Sequence, residues 1–392
     1  MEIARRLARQ LAFLCIWFTL LPVTLVLHFA GFRRLTVITQ RIGHLAAEID
    51  CFAKARRLGE LPAKRWLLLA PPGKVANRCL LEYWRAEVTT ICHPLACFLI
   101  HGMSRWLLMK HDVSDYLLRL DETSTLYGIN ARWRNRPPIL RLTGEDDEWG
   151  TRILQELGIP VGAWFACVHV REPGFSPHDD HVHAHRNSDP LLLIPAIREI
   201  TRRGGWCVRV GDSSTSPLPV LERVVDYPRH PLRSERMDIV LCARARFFLG
   251  NTSGVALVST AFGVPCALAN MIPFSNLAPL PLDISIQKHL FHRSEARLLR
   301  FDEILGSPMA NFRFARLYND NGIVPVENTA EDILELVREM LDRLEGKLEE
   351  TADDRALQER FMKLLRPGHY SFGTVSRIGA AYLRKYRHLL EP

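Results

Sequence analysis

The chain has 392 residues, 47% of them hydrophobic and 24% charged, a composition typical of a folded protein and not of a disordered one. Its formal charge of +8 favours anionic partners, but the basic residues are scattered and no zinc finger or aromatic-rich RNA-binding motif is present, which argues against nucleic acid. The length exceeds what one hydrophobic core usually serves and predicts two domains. The nine cysteines include no CxxC pair, which indicates buried thiols in a reducing compartment.

The first element in chain order is an apolar segment, residues 11–32, with arginines on both sides. It is long enough to enter a bilayer, so we expect a membrane anchor over residues 1–32. Pro22 lies within the segment, so a re-entrant hairpin competes with a simple span, and a buried helix of the first domain is a further alternative. We expect a protein of the inner (cytoplasmic) membrane whose folded domains face the cytoplasm.

Strand and helix patterns alternate after the anchor. RLTVITQ (34–40) and the apolar run at 66–70 predict strands, each followed by a turn and by helix-type spacing. Such alternation predicts a parallel sheet with helices on both faces. We expect a Rossmann-like domain over residues 33–150, with the domain boundary near residue 150.

The second half of the chain repeats the same alternation more clearly. WFACVHV (164–170), WCVRVGD (206–212) and RFFLG (246–250) predict buried strands, with helix patterns between them. We expect a second Rossmann-like domain over residues 151–350, and helices over residues 351–392 that pack back on the N-terminal domain. The predicted fold class is therefore α/β, with two domains facing a cleft.

A run of small polar residues follows the strand that ends at Gly250: Asn251, Thr252, Ser253 and Gly254. A turn of this kind at the carboxyl edge of a parallel sheet leaves the first N–H groups of the next helix unpaired. These donors and the positive end of the helix dipole suit an anion, and open α/β sheets bind ligands at that edge. The run predicts a phosphate cradle, with an ordinary capped turn as the alternative.

Two other strands of the same domain also end in polar residues. Arg171 directly follows one strand, where a planar guanidinium is placed to pair with phosphate oxygens. Asp212 and Ser213 directly follow another. Because parallel strands end at a common edge, we expect these groups to converge on a diphosphate, as in a nucleotide-sugar donor.

HDDHVHAHRN (178–187) is rich in histidine, and alternating histidines are typical of some metal sites. Nothing else in the sequence indicates a metal centre, so we expect a loop over the donor in which Arg186 and Asn187 reach the phosphates or the sugar. Tyr227 is expected to line or stack on the nucleoside base, with a packed loop tyrosine as the alternative.

The second half resembles a known family. VHVREPGF, HRNSDPLLLIPAIREITRRGGWCVRVGD and FFLGNTSGVALVSTAFGVPCALAN are similar to bacterial glycosyltransferases encoded with surface-polysaccharide genes, and VITQRIGHLAAEIDCF and SRIGAAYLRKY match the same family. At greater distance the chain resembles fucosyltransferases of the GT-B fold. The resemblance implies that Arg171 and Ser253 hold the nucleotide diphosphate, and that no metal or cofactor takes part. Glu172 stands where fucosyltransferases usually carry a second basic residue.

His44 and Glu48, in RIGHLAAE, are the candidate catalytic residues. His44 follows the first strand of the domain predicted over residues 33–150, which we expect to be the acceptor-side domain. Because imidazole titrates near neutral pH, we expect His44 to deprotonate the acceptor hydroxyl. Glu48 lies one helical turn later on the same face and is expected to orient the imidazole. A histidine that merely caps the helix is the alternative.

The predicted function is transfer of a sugar from a nucleotide-sugar donor to a lipid-linked or cell-surface glycan acceptor at the membrane surface. Two alternatives stay open. One is a nucleotide-sugar epimerase of the same fold, and the other is a non-catalytic scaffold that binds nucleotide sugars during polysaccharide assembly.

Overall fold

The structure is a computed structural model that describes residues 25–104, 110–112, 120–174 and 177–390, and five positions between residues 11 and 22. The chain divides into two compact units, residues 1–115 and residues 116–392.

The predicted domain boundary near residue 150 falls inside the second unit, within the helix Gly144–Glu156. This helix packs on the helix Glu235–Arg244 of the same unit. Arg236 forms ion pairs with Asp146 at 2.5 Å and with Glu145 at 2.9 Å. These contacts place the helix with the second unit.

The first unit contains a four-stranded parallel sheet in the order β3-β2-β1-β4. Its strands are β1 (Phe32–Thr36), β2 (Arg65–Leu69), β3 (Thr89–Ile91) and β4 (Lys110–Asp112). Its helices are Ile42–Arg57, Arg78–Trp84 and Pro94–Ser104. The Ile42–Arg57 helix is buried along most of its length and carries a buried ion pair, Asp50 to Lys54, at 2.6 Å.

The second unit contains a seven-stranded parallel sheet in the order β14-β10-β9-β8-β5-β6-β7. Its strands are β5 (Phe165–His169), β6 (Trp206–Arg209), β7 (Val224–Asp226), β8 (Phe247–Gly250), β9 (Cys266–Met271), β10 (Ile284–Gln287) and β14 (Arg377–Ile378). A small antiparallel sheet has the order β12-β11-β13, with β11 (His289–His292), β12 (Arg297–Leu298) and β13 (Ile323–Val326).

Helices complete the second unit. Three of them, Ile194–Arg202, Ala256–Ala261 and Ala330–Leu344, pack against strands of the seven-stranded sheet. The helices are Leu120–Trp133, Gly144–Glu156, Pro177–His183, Ile194–Arg202, Glu235–Arg244, Ala256–Ala261, Phe301–Leu305, Ala315–Asp320, Ala330–Leu344, Ala352–Leu364, Ala380–Lys385 and Arg387–Leu390. The predicted α/β fold with parallel sheets is therefore confirmed, whereas two Rossmann-like domains about a cleft stay a prediction.

The carboxyl-terminal helices belong to the second unit, and their packing on the N-terminal domain stays a prediction. Their apolar residues Leu357, Phe361, Tyr382 and Leu389 lie in the core of the second unit. The edge strand β14 extends the same sheet by pairing with β10.

The strand order brings two strand ends together at the centre of the large sheet. β6 lies on one side of β5, whereas β8 lies on the other, so the chain changes direction between β5 and β8. His169 of β5 pairs with Gly250 of β8 in the register. Ligands of open α/β sheets bind outside the carboxyl ends of the strands at such a switch point.

Among the described residues, no helix has both the length and the apolar character needed to span a membrane. The predicted anchor over residues 1–32 lies mostly outside the residues that the structure describes.

Candidate functional site

The ends of β5 and β8 are tied together by one buried side chain. Asn251 follows β8 and is fully buried. Its Oδ1 accepts a hydrogen bond from the backbone N–H of Arg171 at 3.0 Å, and its Nδ2 donates to Arg186 O at 3.1 Å and to Ser188 Oγ at 3.2 Å. Asn251 was predicted to contact the donor. The hydrogen bonds of its side-chain amide hold two loops against the strand end, and a contact with the donor stays a prediction.

A close backbone approach accompanies this contact. A Cβ atom at Gly250 would lie 2.6 Å from the carbonyl oxygen of His169, a distance shorter than Cβ atoms keep from other atoms in proteins. Glycine therefore allows the two strand ends to meet at the switch point.

Arg171 follows β5, as predicted, and its side chain is 14% exposed. Its Nη2 atom lies 3.6 Å from Oδ1 of Asp180, while Oδ2 of Asp180 accepts a hydrogen bond from Gly174 N at 2.6 Å. The guanidinium therefore already faces a carboxylate oxygen. The sequence carries no sign of this pair, because Arg171 and Asp180 are nine residues apart and meet only in the folded protein.

Arg186 supports the turn after β8. Its Nε and Nη2 atoms donate to the carbonyl oxygen of Thr252 at 3.2 and 2.7 Å. The Thr252 hydroxyl accepts from Ile272 N at 3.0 Å and lies 3.4 Å from Met271 Sδ. Arg186 thus brings positive charge to this edge. The hydrogen bonds described here for Arg186 and Thr252 are all formed with other groups of the protein.

The helix after this turn differs from the prediction. It begins at Ala256 and has six residues, and the half-buried Ser253 and Gly254 lie in the turn before it. Ser253 Oγ accepts from Val255 N at 3.2 Å, a local turn that delays the helix start. Because the helix is short, the positive charge at this edge comes mainly from side chains.

The end of β6 is held by local hydrogen bonds. Asp212 Oδ1 accepts from Ser214 N at 2.7 Å, and Ser213 O lies 3.4 Å from Arg229 Nη2.

Tyr227 is fully buried, and its hydroxyl oxygen accepts from Ser234 N at 2.9 Å. Burial raises the pKa of the Tyr227 phenol above its ordinary value. Since its ring is covered by protein, Tyr227 presents no face to a base, and the packed-tyrosine interpretation fits the structure.

Positive charge gathers around a buried histidine in the same region. Burial, followed by the charges of Arg186, Lys288 and Arg171 and by nearby His183, lowers the pKa of His185 to about 3. His185 is therefore neutral near pH 7, and the positive charge beside it comes from Arg171 and Arg186, since Glu327 lies 3.7 Å from Lys288 and offsets its charge. A positive region at the carboxyl edge of the sheet suits an anionic ligand.

Asn187 lines an open cavity of about 450 Å³ beside this region. The Lys288 ammonium, which sequence analysis did not identify, donates to Asn187 O at 2.7 Å and is 3% exposed. Lys288 follows β10 and is far from Asn187 along the chain, so only the fold reveals this contact.

In the first unit, the predicted pair His44 and Glu48 is in contact. His44 Nδ1 lies 2.5 Å from Glu48 Oε1, and Oε2 of the fully buried Glu48 accepts from Ile38 N at 3.1 Å. The helix N-cap is Arg41, and no side chain forms a hydrogen bond to the cap. His44 therefore contacts Glu48 and does not cap the helix. With Nδ1 held by Glu48, the Nε2 atom is the one suited to take a proton.

No group of three or more histidine, cysteine, aspartate or glutamate side chains suited to a metal occurs in the part of the chain that the structure describes. The rings of His183 and His185 lie 6.1 Å apart between centroids.

Comparison with known proteins finds no matching family model and no matching curated protein. Among solved structures, a glycosyl transferase family 9 protein from Veillonella parvula is similar with a TM-score of 0.40 and 10% identity, over 60% of this chain and 79% of that chain. The dodecameric iron-containing heptosyltransferase TibC, in complex with ADP-D-β-D-heptose, is similar with a TM-score of 0.34 and 12% identity, over 61% of this chain and 57% of its own. A second structure of TibC, from enterotoxigenic E. coli, has a TM-score of 0.33 and 10% identity, over 60% and 57% of the two chains. These three solved structures are named as glycosyltransferases.

Proposed function

We propose that this chain is a glycosyltransferase that transfers a sugar from a nucleotide-sugar donor to a lipid-linked or cell-surface glycan acceptor. The observation that carries the proposal is the position of Arg171. It lies at the switch point of the seven-stranded sheet, beside the turn after β8, with a carboxylate oxygen already 3.6 Å from its guanidinium.

Sugar transfer releases a nucleoside diphosphate, so the protein must stabilise negative charge that develops on the leaving group. A mostly buried guanidinium suits this task, because it presents a planar pair of donors and its charge is poorly screened by water. Arg171 meets these conditions, and its backbone is fixed by Asn251. Ser253 and the N–H groups of its turn are the additional donors that we assign to the diphosphate.

We assign deprotonation of the acceptor hydroxyl to His44. As the new glycosidic bond forms, the hydroxyl proton passes to Nε2 of His44, and the buried Glu48 carboxylate stabilises the resulting imidazolium. The contact of 2.5 Å between His44 and Glu48 supports this assignment.

We further propose that the protein works at the cytoplasmic face of the inner membrane. The apolar segment at residues 11–32 and its flanking arginines support this location, since such a segment would hold the protein beside lipid-linked acceptors.

A turnover assay tests the proposal. The purified protein is incubated with a panel of nucleotide sugars and a bacterial lipid-linked glycan fraction, and release of nucleoside diphosphate is measured together with glycan product. We expect acceptor-dependent release that Arg171→Ala abolishes. Arg198→Ala, which removes an exposed arginine from a helix of the same unit, is the matched control and should retain activity.

Two results would contradict the proposal. Conversion of the free donor to an isomer without acceptor would indicate an epimerase. Binding without turnover across the panel would indicate a scaffold.

A further inference from the structure

The open cavity of about 450 Å³ has no role in the contacts assigned so far. It lies at the carboxyl edge of the large sheet, where Glu172 follows β5, Ser216 follows β6 and Lys288 follows β10. Its volume lies within the range of small-molecule sites.

One wall of the cavity carries a fixed cation and a fixed carboxylate. Lys288 Nζ donates to Asn187 O at 2.7 Å and lies 3.7 Å from Glu327 Oε1. Glu327 Oε2 in turn accepts from the backbone N–H of Asp189 at 3.1 Å. The lysine and the glutamate therefore offset each other's charge while holding the wall in place.

A second group of lining residues is also charge-balanced. The buried Glu172 carboxylate accepts hydrogen bonds from Arg209 and from Ser216 N, the latter at 2.9 Å. Lys288, Glu327 and Glu172 each have a partner of opposite charge, and the exposed Asp189 adds a carboxylate to the lining. The cavity therefore suits a neutral polar ligand better than a phosphate group.

Two further lining residues leave hydrogen-bonding atoms unused. Among the described residues, Asn187 Oδ1 and both ring nitrogens of His185 have no hydrogen-bond partner, although all three atoms are buried. Buried polar atoms usually have partners, so unpaired ones at a cavity indicate a missing ligand or water.

The lining also offers apolar surface. Pro173, Pro190 and Pro325 line the cavity together with the polar residues. A sugar ring presents hydroxyl groups at its edge and C–H groups on its faces, and this mixture of polar side chains and rigid apolar rings is complementary to both.

We propose that this cavity binds the glycosyl group of the donor, and this inference rests on the proposed function. The geometry connects the two sites through neighbouring residues. Arg171 belongs to the proposed diphosphate site, and its neighbour Glu172 lines the cavity. Ser188 also lines the cavity, and its N–H donates a hydrogen bond to Arg171 O at 3.0 Å. A diphosphate at Arg171 therefore places its attached sugar beside the cavity.

Calorimetric titration separates the two sites. UDP-glucose, GDP-mannose and ADP-glucose are titrated against the full chain, each beside its own nucleoside diphosphate. Asn187→Ala should weaken binding of the preferred nucleotide sugar about tenfold, the scale of one hydrogen bond, and leave the affinity for the diphosphate unchanged. Arg171→Ala should weaken both ligands. Asn319→Ala, at an exposed position on the helix Ala315–Asp320, is the matched control and should change neither.

The outcomes are distinguishable. If Asn187→Ala lowers both affinities equally, or neither, the cavity does not hold the sugar, and the inference is overturned while the role of Arg171 stands. If the unchanged protein binds no member of the panel and no diphosphate, the proposed function and this inference both fail.

Discussion

Oδ1 of Asn251 accepts a hydrogen bond from the backbone N–H of Arg171 at 3.0 Å, which ties the residue after β8 to the residue that places the guanidinium. Asn251 also donates to Arg186 O and to Ser188 Oγ. One buried amide therefore fixes both loops that carry the candidate anion-binding arginines.

Asn251→Ala should lower the free energy of unfolding by roughly 1–3 kcal/mol, because it leaves buried partners without hydrogen bonds. It should also weaken nucleoside diphosphate binding, since the position of Arg171 depends on it. Urea unfolding and calorimetry measure the two effects. Asn319→Ala serves as the exposed control, and equal stability of the two variants would contradict the proposed structural role.

On the proposed function, we expect Asp180 to compete with an anionic ligand for Arg171. Asp180→Asn removes the negative charge 3.6 Å from the guanidinium but keeps an oxygen that can accept from Gly174 N. We expect affinity for nucleoside diphosphate to rise by a few-fold, on the order of 1 kcal/mol for one partly screened charge pair. Asp320→Asn, at an exposed position, is the control. A loss of affinity in the Asp180 variant would show that the carboxylate helps binding instead.

Much of the second unit follows from the sequence pattern. The apolar runs at 164–170, 206–212 and 246–250 are the strands β5, β6 and β8, because strands buried on both faces of a parallel sheet read as continuous apolar segments. Arg171 and Asn251 were therefore placed at the correct edge from the sequence.

Other features could not be predicted, because they depend on contacts between residues that are far apart in the sequence. The burial of Tyr227 is set by the packing of its loop against the Glu235–Arg244 helix start, and a tyrosine in a loop carries no sign of this. The pairs Arg171–Asp180 and Lys288–Asn187 likewise arise only once the loops fold. The late start of the helix at Ala256 reflects the Ser253 turn, which competes with helix formation.

His44→Asn should lower turnover by roughly 10²–10⁴-fold, the usual contribution of a general base, without changing donor affinity. The substitution removes the imidazole contact to Glu48 while keeping a polar side chain. Steady-state turnover and donor titration check the two parts. His93→Asn, at an exposed position in the same unit, is the matched control. Loss of donor binding in the His44 variant would argue against a role confined to proton transfer.

Asp238 gives the protein a pH-dependent stability. Burial raises the pKa of this carboxyl from 3.8 to about 6, with Arg233 opposing the shift. The folded state therefore holds the proton more tightly than the unfolded state, and this group makes the protein more stable as the pH falls from about 6 towards 4. Asp238→Asn should be more stable than the parent near pH 7, and the difference should shrink near pH 4. Urea unfolding across that range checks this, and an equal difference at both ends would contradict it.

The most direct measurement is the affinity of Arg171→Ala for nucleoside diphosphate, compared by calorimetry with the parent and with Arg198→Ala. Loss of a charged hydrogen-bonding side chain should weaken binding by roughly 1.5–3 kcal/mol, or about 10- to 150-fold, with the fold retained. Arg198→Ala should bind as the parent does. Equal binding by all three proteins would contradict the claim that the switch point between β5 and β8 is the diphosphate site.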